Sequence, residues 1–200
     1  DPYWDPVYST AQELGVPVNY HVGFSSFEAS EVLNEDAIAS KREDADRARP
    51  SRALWSCSLL MQQADVIGQL LISELCDRFP RLNIVSVETG FGHMPFYLEC
   101  LDWHWKALGN KSRDLLPSEY FARQVHGTFW FERGTLPLLS EYPNNFMFST
   151  DYPHSTGGAP GPASPGVPAS QYVAEAFAGV DPELAEKAIW GNASRLYHLD

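Results

Sequence analysis

The sequence predicts an α/β fold with parallel strands, and three observations carry that expectation. Short apolar runs of strand character alternate four times with stretches whose apolar residues recur at helical spacing. Glycine, proline and capping residues punctuate the boundaries between them. Finally, His21, Glu88 and Asp151 each fall at or near the end of a strand-like run, where such folds collect their chemistry.

The elements follow in order. Asp5 to Leu14 reads as a short helix stopped by Gly15, and Val16 to Val22 as a buried strand closed by Gly23. A polar stretch from Phe24 to Arg52 reads as a long excursion with some helix in its middle. From Ala53 to Phe79 the apolar residues Leu54, Met61, Leu71, Leu75 and Phe79 keep helical spacing, and Pro80 closes the segment. Leu82 to Glu88 is a second strand, and Met94 to Leu108 a helix stopped by Gly109-Asn110. Gly127 to Glu132 reads as a third strand, Leu136 to Ser140 as a short helical piece, and Asn145 to Asp151 as a fourth strand. Ser155 to Pro168 is dominated by Gly, Pro, Ala and Ser and reads as a mobile loop. Helices over Ala169 to Ala178 and Pro182 to Trp190 finish the chain, with Asp181 as N-cap and Pro182 at the first helical position.

Composition narrows the function classes. A chain of 200 residues with 44% hydrophobic residues can bury a core, and no apolar run approaches the ~20 residues of a membrane span. The formal net charge of −12 lacks the basic footprint of a nucleic-acid or anionic-membrane binder. The odd set of Cys57, Cys76 and Cys100, with no CxxC pair, reads as buried reduced thiols of a cytoplasmic protein. The chain starts at Asp1 without Met or a signal-peptide pattern, which suggests a processed chain or a fragment.

The strand-end residues define the candidate chemistry. His21 can offer one imidazole nitrogen to a metal while the other is held by an acceptor; a lone histidine there is more often a capping or core residue. Asp151 needs compensation if its strand end is buried, from a cation, an arginine or backbone amides. An Asp opening a Pro-containing turn is equally a structural device. Glu88 precedes Gly90 and Gly92, but a dinucleotide loop is disfavoured because the acid would repel phosphate. His154 lies close to Asp151 and could contact substrate, whereas His104, between Trp103 and Trp105, reads as packing.

Longer strings resemble one family. Pro117 to Phe129, Arg78-Phe79-Pro80-Arg81-Leu82 leading into Glu88-Thr89-Gly90, Ser149-Thr150-Asp151-Tyr152-Pro153-His154 and Gly191 to Tyr197 resemble, in order, segments of the amidohydrolase-related family. That group contains aminocarboxymuconate semialdehyde decarboxylase and the hydroxybenzoate decarboxylases. The resemblance implies a TIM-type (β/α)8 metal-dependent hydrolase barrel of which this chain supplies strands five to eight. It further implies one partial domain over residues 1–200 with the N-terminal half absent, since a whole barrel takes ~250 residues.

By the same resemblance His21 and Asp151 would be metal ligands, Asp151 and Glu88 catalytic acid/base groups, and His154 and His93 substrate contacts. The cofactor would be a divalent metal, Zn2+ first, and the partners a small-molecule substrate and a second copy in a homodimer. Two features depart from the family. Glu88 stands where the semialdehyde decarboxylases carry His, with His93 nearby where a Trp is usual, and the His-x-His pair expected on strand one falls in the absent half. The expected function is a hydrolase or carboxy-lyase acting on a small carboxylated substrate, aromatic acids included, with the fragment alone inactive. A barrel kept as a non-catalytic scaffold is the rival from another class, and a self-associating half-barrel a third.

Overall fold

A computed structural model describes residues 2–23, 45–154, 157–161 and 164–199, without the side chains of 45–52, 55 and 164. The expected polar excursion therefore lies largely outside the described residues. Helix α1 runs Asp5–Leu14 and stops where the sequence says it should. Gly15 takes φ 67°, and its amide bonds back to the carbonyls of Ala11 and Gln12.

Strand β1 (Val18–His21) is followed by the long helix α2 (Ala45–Ile72), the single turn of α3 (Leu75–Arg78) and β2 (Ile84–Val87). Helix α4 (Met94–Ala107) and helix α5 (Pro117–Gln124) lead to β3 (Val125–Phe129). A 3-10 turn (Leu136–Glu141) precedes β4 (Phe146–Phe148). The tail holds the short pair β5 (Pro160–Gly161) and β6 (Ser164–Pro165), then α6 (Ala169–Ala176), α7 (Pro182–Glu186), a π turn and α8 (Asn192–Tyr197). Asp181 caps α7 as expected, its carboxylate accepting the amides of Glu183 and Leu184.

The four main strands form one parallel sheet in the order β1-β2-β3-β4, so the α/β expectation holds. Alternate residues feed two apolar clusters. Ile84, Phe129 and Phe146 join Phe121 of α5 in the larger one beneath the helices, and Val85 and Met147 join Leu196 of α8 in the smaller one. Phe121, Phe146, Phe91 and Phe129 form a chain of ring contacts through the larger core, with centroids 5.8, 5.2 and 4.8 Å apart. Three buried amides tie the starts of the strands. Asn145 donates to the carbonyls of Phe121, Ala122 and Val125, Asn192 to those of Pro143 and Phe146, and Gln124 to those of Phe79 and Leu82. No described helix is long and apolar enough to cross a membrane.

Several expectations are corrected. The Ala53–Phe79 helix starts earlier, at Ala45, and breaks after Ile72, where the Ser73 hydroxyl bonds the Leu70 carbonyl and accepts the Leu75 amide. Leu54 and Met61 are exposed rather than core. The third strand is Val125–Phe129, not Gly127–Glu132, because α5 runs directly into it and Trp130 to Glu132 turn away. Within Ser155–Pro168 the described residues include an antiparallel pair, β5 with β6, so this stretch is not loop throughout. Cys76 alone of the cysteines is buried; Cys57 and Cys100 are exposed on helices, and all three are free. His104 is exposed and does not pack between its Trp neighbours.

His126 on β3 makes a testable case for how burial governs stability. It is 8% exposed, its Nε2 lies 3.3 Å from Asn83 Oδ1, and burial, assisted by the nearby Arg195 charge, pushes its pKa down to about 4. The unfolded chain protonates it near pH 6.5. Because the folded value is the lower one, stability is full above that pH and drains away as pH falls from about 6.5 to about 4. The loss reaches roughly 2–3 kcal/mol. Urea unfolding of the intact protein at pH 7 and pH 4.5 should show His126→Asn losing less stability between the two than wild type, by about that amount. Equal losses would refute the assignment.

Candidate metal centre

All four main strands end on one side of the sheet, and the chemistry sits there. His21 is the last residue of β1, Glu88 the first after β2, and Asp151 follows β4 by three residues. Glu88 and Asp151 both adopt left-handed backbone conformations, with φ of 58° and 54°. Such conformations are uncommon for residues with a Cβ and are held only by surrounding structure.

For Glu88 the holding contacts come from β3 and its following turn. The Glu88 amide donates to Thr128 Oγ1 at 2.9 Å, the Gly90 amide to the Thr128 carbonyl at 3.0 Å, and the Phe91 amide to Glu132 Oε1 at 2.8 Å. Beneath them the Ser86 and Thr89 hydroxyls bond each other, buried. Gly90 takes φ 70°, which favours glycine, and a Cβ there would push on the Glu132 carboxylate that accepts the Phe91 amide. Burial raises the Glu132 pKa, and its accepted backbone amides oppose that rise.

For Asp151 the contacts come from its own turn. The His154 amide donates to the Asp151 carbonyl at 2.8 Å, the Gly157 amide to the His154 carbonyl at 3.0 Å, and the Gly158 amide to the Thr150 carbonyl at 2.8 Å. A Cβ on Gly157 would lie 2.7 and 2.8 Å from the Thr150 and Asp151 carbonyl oxygens, so the chain turns back across the strand end with no room for a side chain.

These turns bring three side chains to one point, with a fourth bonded to one of them. Glu88, Asp151 and His154 each offer a ligand atom, all within 4.8 Å of one another. His154 Nδ1 is 2.8 Å from Asp151 Oδ2 and 3.9 Å from Glu88 Oε2. His21 Nε2 is 2.9 Å from Glu88 Oε1, so His21 joins the group through Glu88. The carboxylate side chains are 18% and 5% exposed for Glu88 and Asp151, against 50% and 57% for His21 and His154: acids at the floor, imidazoles at the rim.

The protonation pattern shows a shortage of positive charge. His21 Nδ1 donates to the Val22 carbonyl at 2.8 Å, so in the neutral ring Nε2 is a bare lone pair facing a carboxylate oxygen. That contact requires a shared proton or a cation. The Val22 bond raises the His21 pKa most, with burial opposing and Glu88 adding. Burial raises the Glu88 pKa, and a hydrogen bond shared with Asp151 raises it further, since that bond too needs a proton between two acids. Two acids and an imidazole around one point, with a second imidazole bonded to one of the acids, suit a divalent cation.

Of the residues singled out in the sequence, His21, Glu88, Asp151 and His154 are brought together. His93 is not joined to them by any described hydrogen bond. It stands at the N-terminus of α4, with a partnerless buried Nε2 and a pKa lowered by burial. Thr128 and Glu132 were missed. They act through backbone amides, and neither carries a periodicity or motif that marks it.

A parallel sheet flanked by helices, with acids and imidazoles gathered at the C-terminal strand ends, is the arrangement of a segment of an α/β barrel. The chain belongs to the amidohydrolase family, whose pattern it matches over residues 1–199. No curated protein matches it. Among solved structures it is similar to 5-carboxyvanillate decarboxylase from Sphingomonas paucimobilis, with 24% identity and a TM-score of 0.70, covering 100% of this chain and 54% of that one. An amidohydrolase from Mycobacterium avium subsp. paratuberculosis K-10 shares 22% identity at a TM-score of 0.67, over 98% of this chain and 46% of that one. A dihydroxybenzoic acid decarboxylase from Polaromonas sp. JS666, solved with manganese and 2-nitroresorcinol, shares 22% at 0.59, over 98% and 54%. The chain thus spans about half the length of these relatives.

The Thr128 contact yields a direct test. Thr128→Val keeps the shape but strips the acceptor from the Glu88 amide, which should cost about 1–3 kcal/mol of stability, whereas Thr128→Ser should cost under about 1. Chemical denaturation of both variants measures this. A larger loss for Thr128→Ser than for Thr128→Val would mean that packing of the methyl group, not the hydroxyl, holds the turn.

Proposed function

We propose that the protein is a divalent-metal-dependent amidohydrolase-family enzyme acting on a small carboxylated substrate, with decarboxylation of an aromatic acid as the leading activity. The observation that carries this reading is the convergence of Glu88, Asp151 and His154 within 4.8 Å, with His21 bonded to Glu88, at the C-terminal ends of parallel strands. The decarboxylases among its structural neighbours support carboxy-lyase chemistry over hydrolysis. As a partial barrel, residues 1–200 would supply strands five to eight, and the intact protein the rest.

Asp151 and His154 would hold the ion from one side. On the other, Glu88 would hold it, with His21 Nε2, whose lone pair the Val22 bond leaves available. Zinc is the proposed ion; manganese, present in one neighbour, is the comparison. A bound divalent cation would polarise a substrate oxygen or activate water. Asp151, 5% exposed and bonded to the rim histidine His154, would pass a proton between solvent and the substrate carbon that loses its carboxylate. Glu88, its pKa raised by burial and by Asp151, is the second acid/base group. His93 would contact substrate from the α4 N-terminus.

Metal analysis of the intact protein tests the reading. Purified wild type should carry about one divalent ion per chain, and Asp151→Asn, Glu88→Gln, His154→Ala and His21→Ala should each weaken Zn2+ or Mn2+ affinity by at least about 10–100-fold. Wild type without metal affinity, or an unchanged affinity in the Asp151 and Glu88 variants, overturns it. A CO2-release assay on a panel of hydroxylated benzoates then separates carboxy-lyase from hydrolase.

A further inference from the structure

The C-terminal helix α8 lies across the sheet, on the face opposite the large aromatic core. Its buried Asn192 donates to the Pro143 and Phe146 carbonyls at the start of β4, and Arg195 donates to the Asn144 carbonyl. Leu196 packs on Val85 of β2 and Met147 of β4. The Tyr197 hydroxyl donates to Asn19 Oδ1 of β1 at 2.9 Å, and two hydrogen bonds between Ser194 and Leu199 close the end of the helix. One short segment thus straps the first strand of the sheet to the last.

The register puts His126 under this strap. His126 pairs with Val85, and Thr128, two residues on, pairs with Met147, so all four side chains share one face. Strand β3 runs between β2 and β4, and Leu196 reaches both of these neighbours, so the helix passes over His126. The ring is 8% exposed, with Nε2 at 3.3 Å from Asn83 Oδ1.

Nothing described there balances a second positive charge. Arg195 is the charge that acts on His126. The Asn144 backbone is the one group favouring a charged ring, and its carbonyl already accepts the Arg195 guanidinium. The other oxygen on Arg195 is that of Asn192, also neutral. Lys187 pairs with Glu183, and with Glu186 they border the surface cavity that Arg195 lines. Tyr197 stays neutral, its pKa raised by burial, and Glu88 and His21 stand further along the strands, level with or beyond Thr128 and Val87. We propose that α8 is an acid-sensitive strap: a proton on His126 sets the ring against Arg195 and undocks residues 193–199 while the sheet stays folded. The docked pKa, about 4, lies below the ordinary 6.5, so docking is at full strength above that pH. It weakens as pH falls towards 4, by roughly a hundredfold at pH 4.5.

The proposal is independent of the metal site, and its test reads local opening rather than activity. Hydrogen–deuterium exchange of the intact protein, corrected for intrinsic rate, is compared at pH 7 and pH 4.5. Amides of 193–199 should lose protection by roughly a hundredfold between the two, while those of β2 and β3 keep theirs. His126→Asn should hold the loss to within a few-fold. Should that variant misfold, Arg195→Gln decides, since its side chain is exposed. It should cut the loss several-fold, whatever its effect on protection at pH 7. A strap that stays protected at pH 4.5, one that opens only together with β2 and β3, or a wild-type loss in a folded variant overturns the proposal.

Discussion

Everything at the candidate site depends on the register of the four parallel strands. His21 pairs with Val87, so Glu88 begins one residue beyond the end of β1, and Phe129 pairs with Phe148, which brings the turn after β3 level with the approach to Asp151. The register is pinned because the two faces have different contents. Ile84 and Phe146 belong to the large aromatic core, while Val85 and Met147 belong to the small cluster closed by Leu196. A slip of one residue would exchange these sets and turn His21 to the opposite face. Hydrophobic sorting, not any contact within the site, thus brings an imidazole and two carboxylates to one level.

Their company is electrostatically unfavourable without help. Burying acids together raises the pKa of at least one, and here Glu88 carries that burden, with His21 opposing the rise. The left-handed backbone at both Glu88 and Asp151 adds a conformational cost of order 1–3 kcal/mol each. Sites that keep two such costs adjacent usually serve a ligand rather than the fold. The amide bonds from Thr128, Glu132 and the Gly157 turn hold the arrangement in place.

The sequence made this core of the site legible because strand ends can be found from patterning. A buried run that stops at a charged residue exposes that residue at the rim, and His21, Glu88 and Asp151 were all found that way. Capping chemistry was equally readable at Gly15 and Asp181. What patterning could not show were choices made by tertiary contact. The third strand shifted by two residues because α5 enters it without a loop, and the carboxylate of Glu132 draws the following turn onto Phe91. Thr128 stayed hidden because a side chain serving a distant amide looks like any strand threonine. The cysteines misled because an apolar helix segment does not say which of its faces meets the core, and Cys57 and Cys100 lie on outer faces.

The glycine at 157 divides the last barrel loop into two territories. Up to that point the chain is laced to the strand end, with Gly157 pressed on the carbonyls of Thr150 and Asp151 and the next amide bonded back to Thr150. Beyond it the backbone runs through the short β5–β6 ribbon without touching the acids by any described hydrogen bond. A lineage that keeps Gly157, and Gly166 where a Cβ would meet the Gly158 and Ala159 carbonyls, can change the polarity of the exposed ribbon positions while Asp151 stays where it is. On the proposed function, substrate range and ion chemistry would then drift at different speeds in one loop, and a library for new specificity would begin at residue 159.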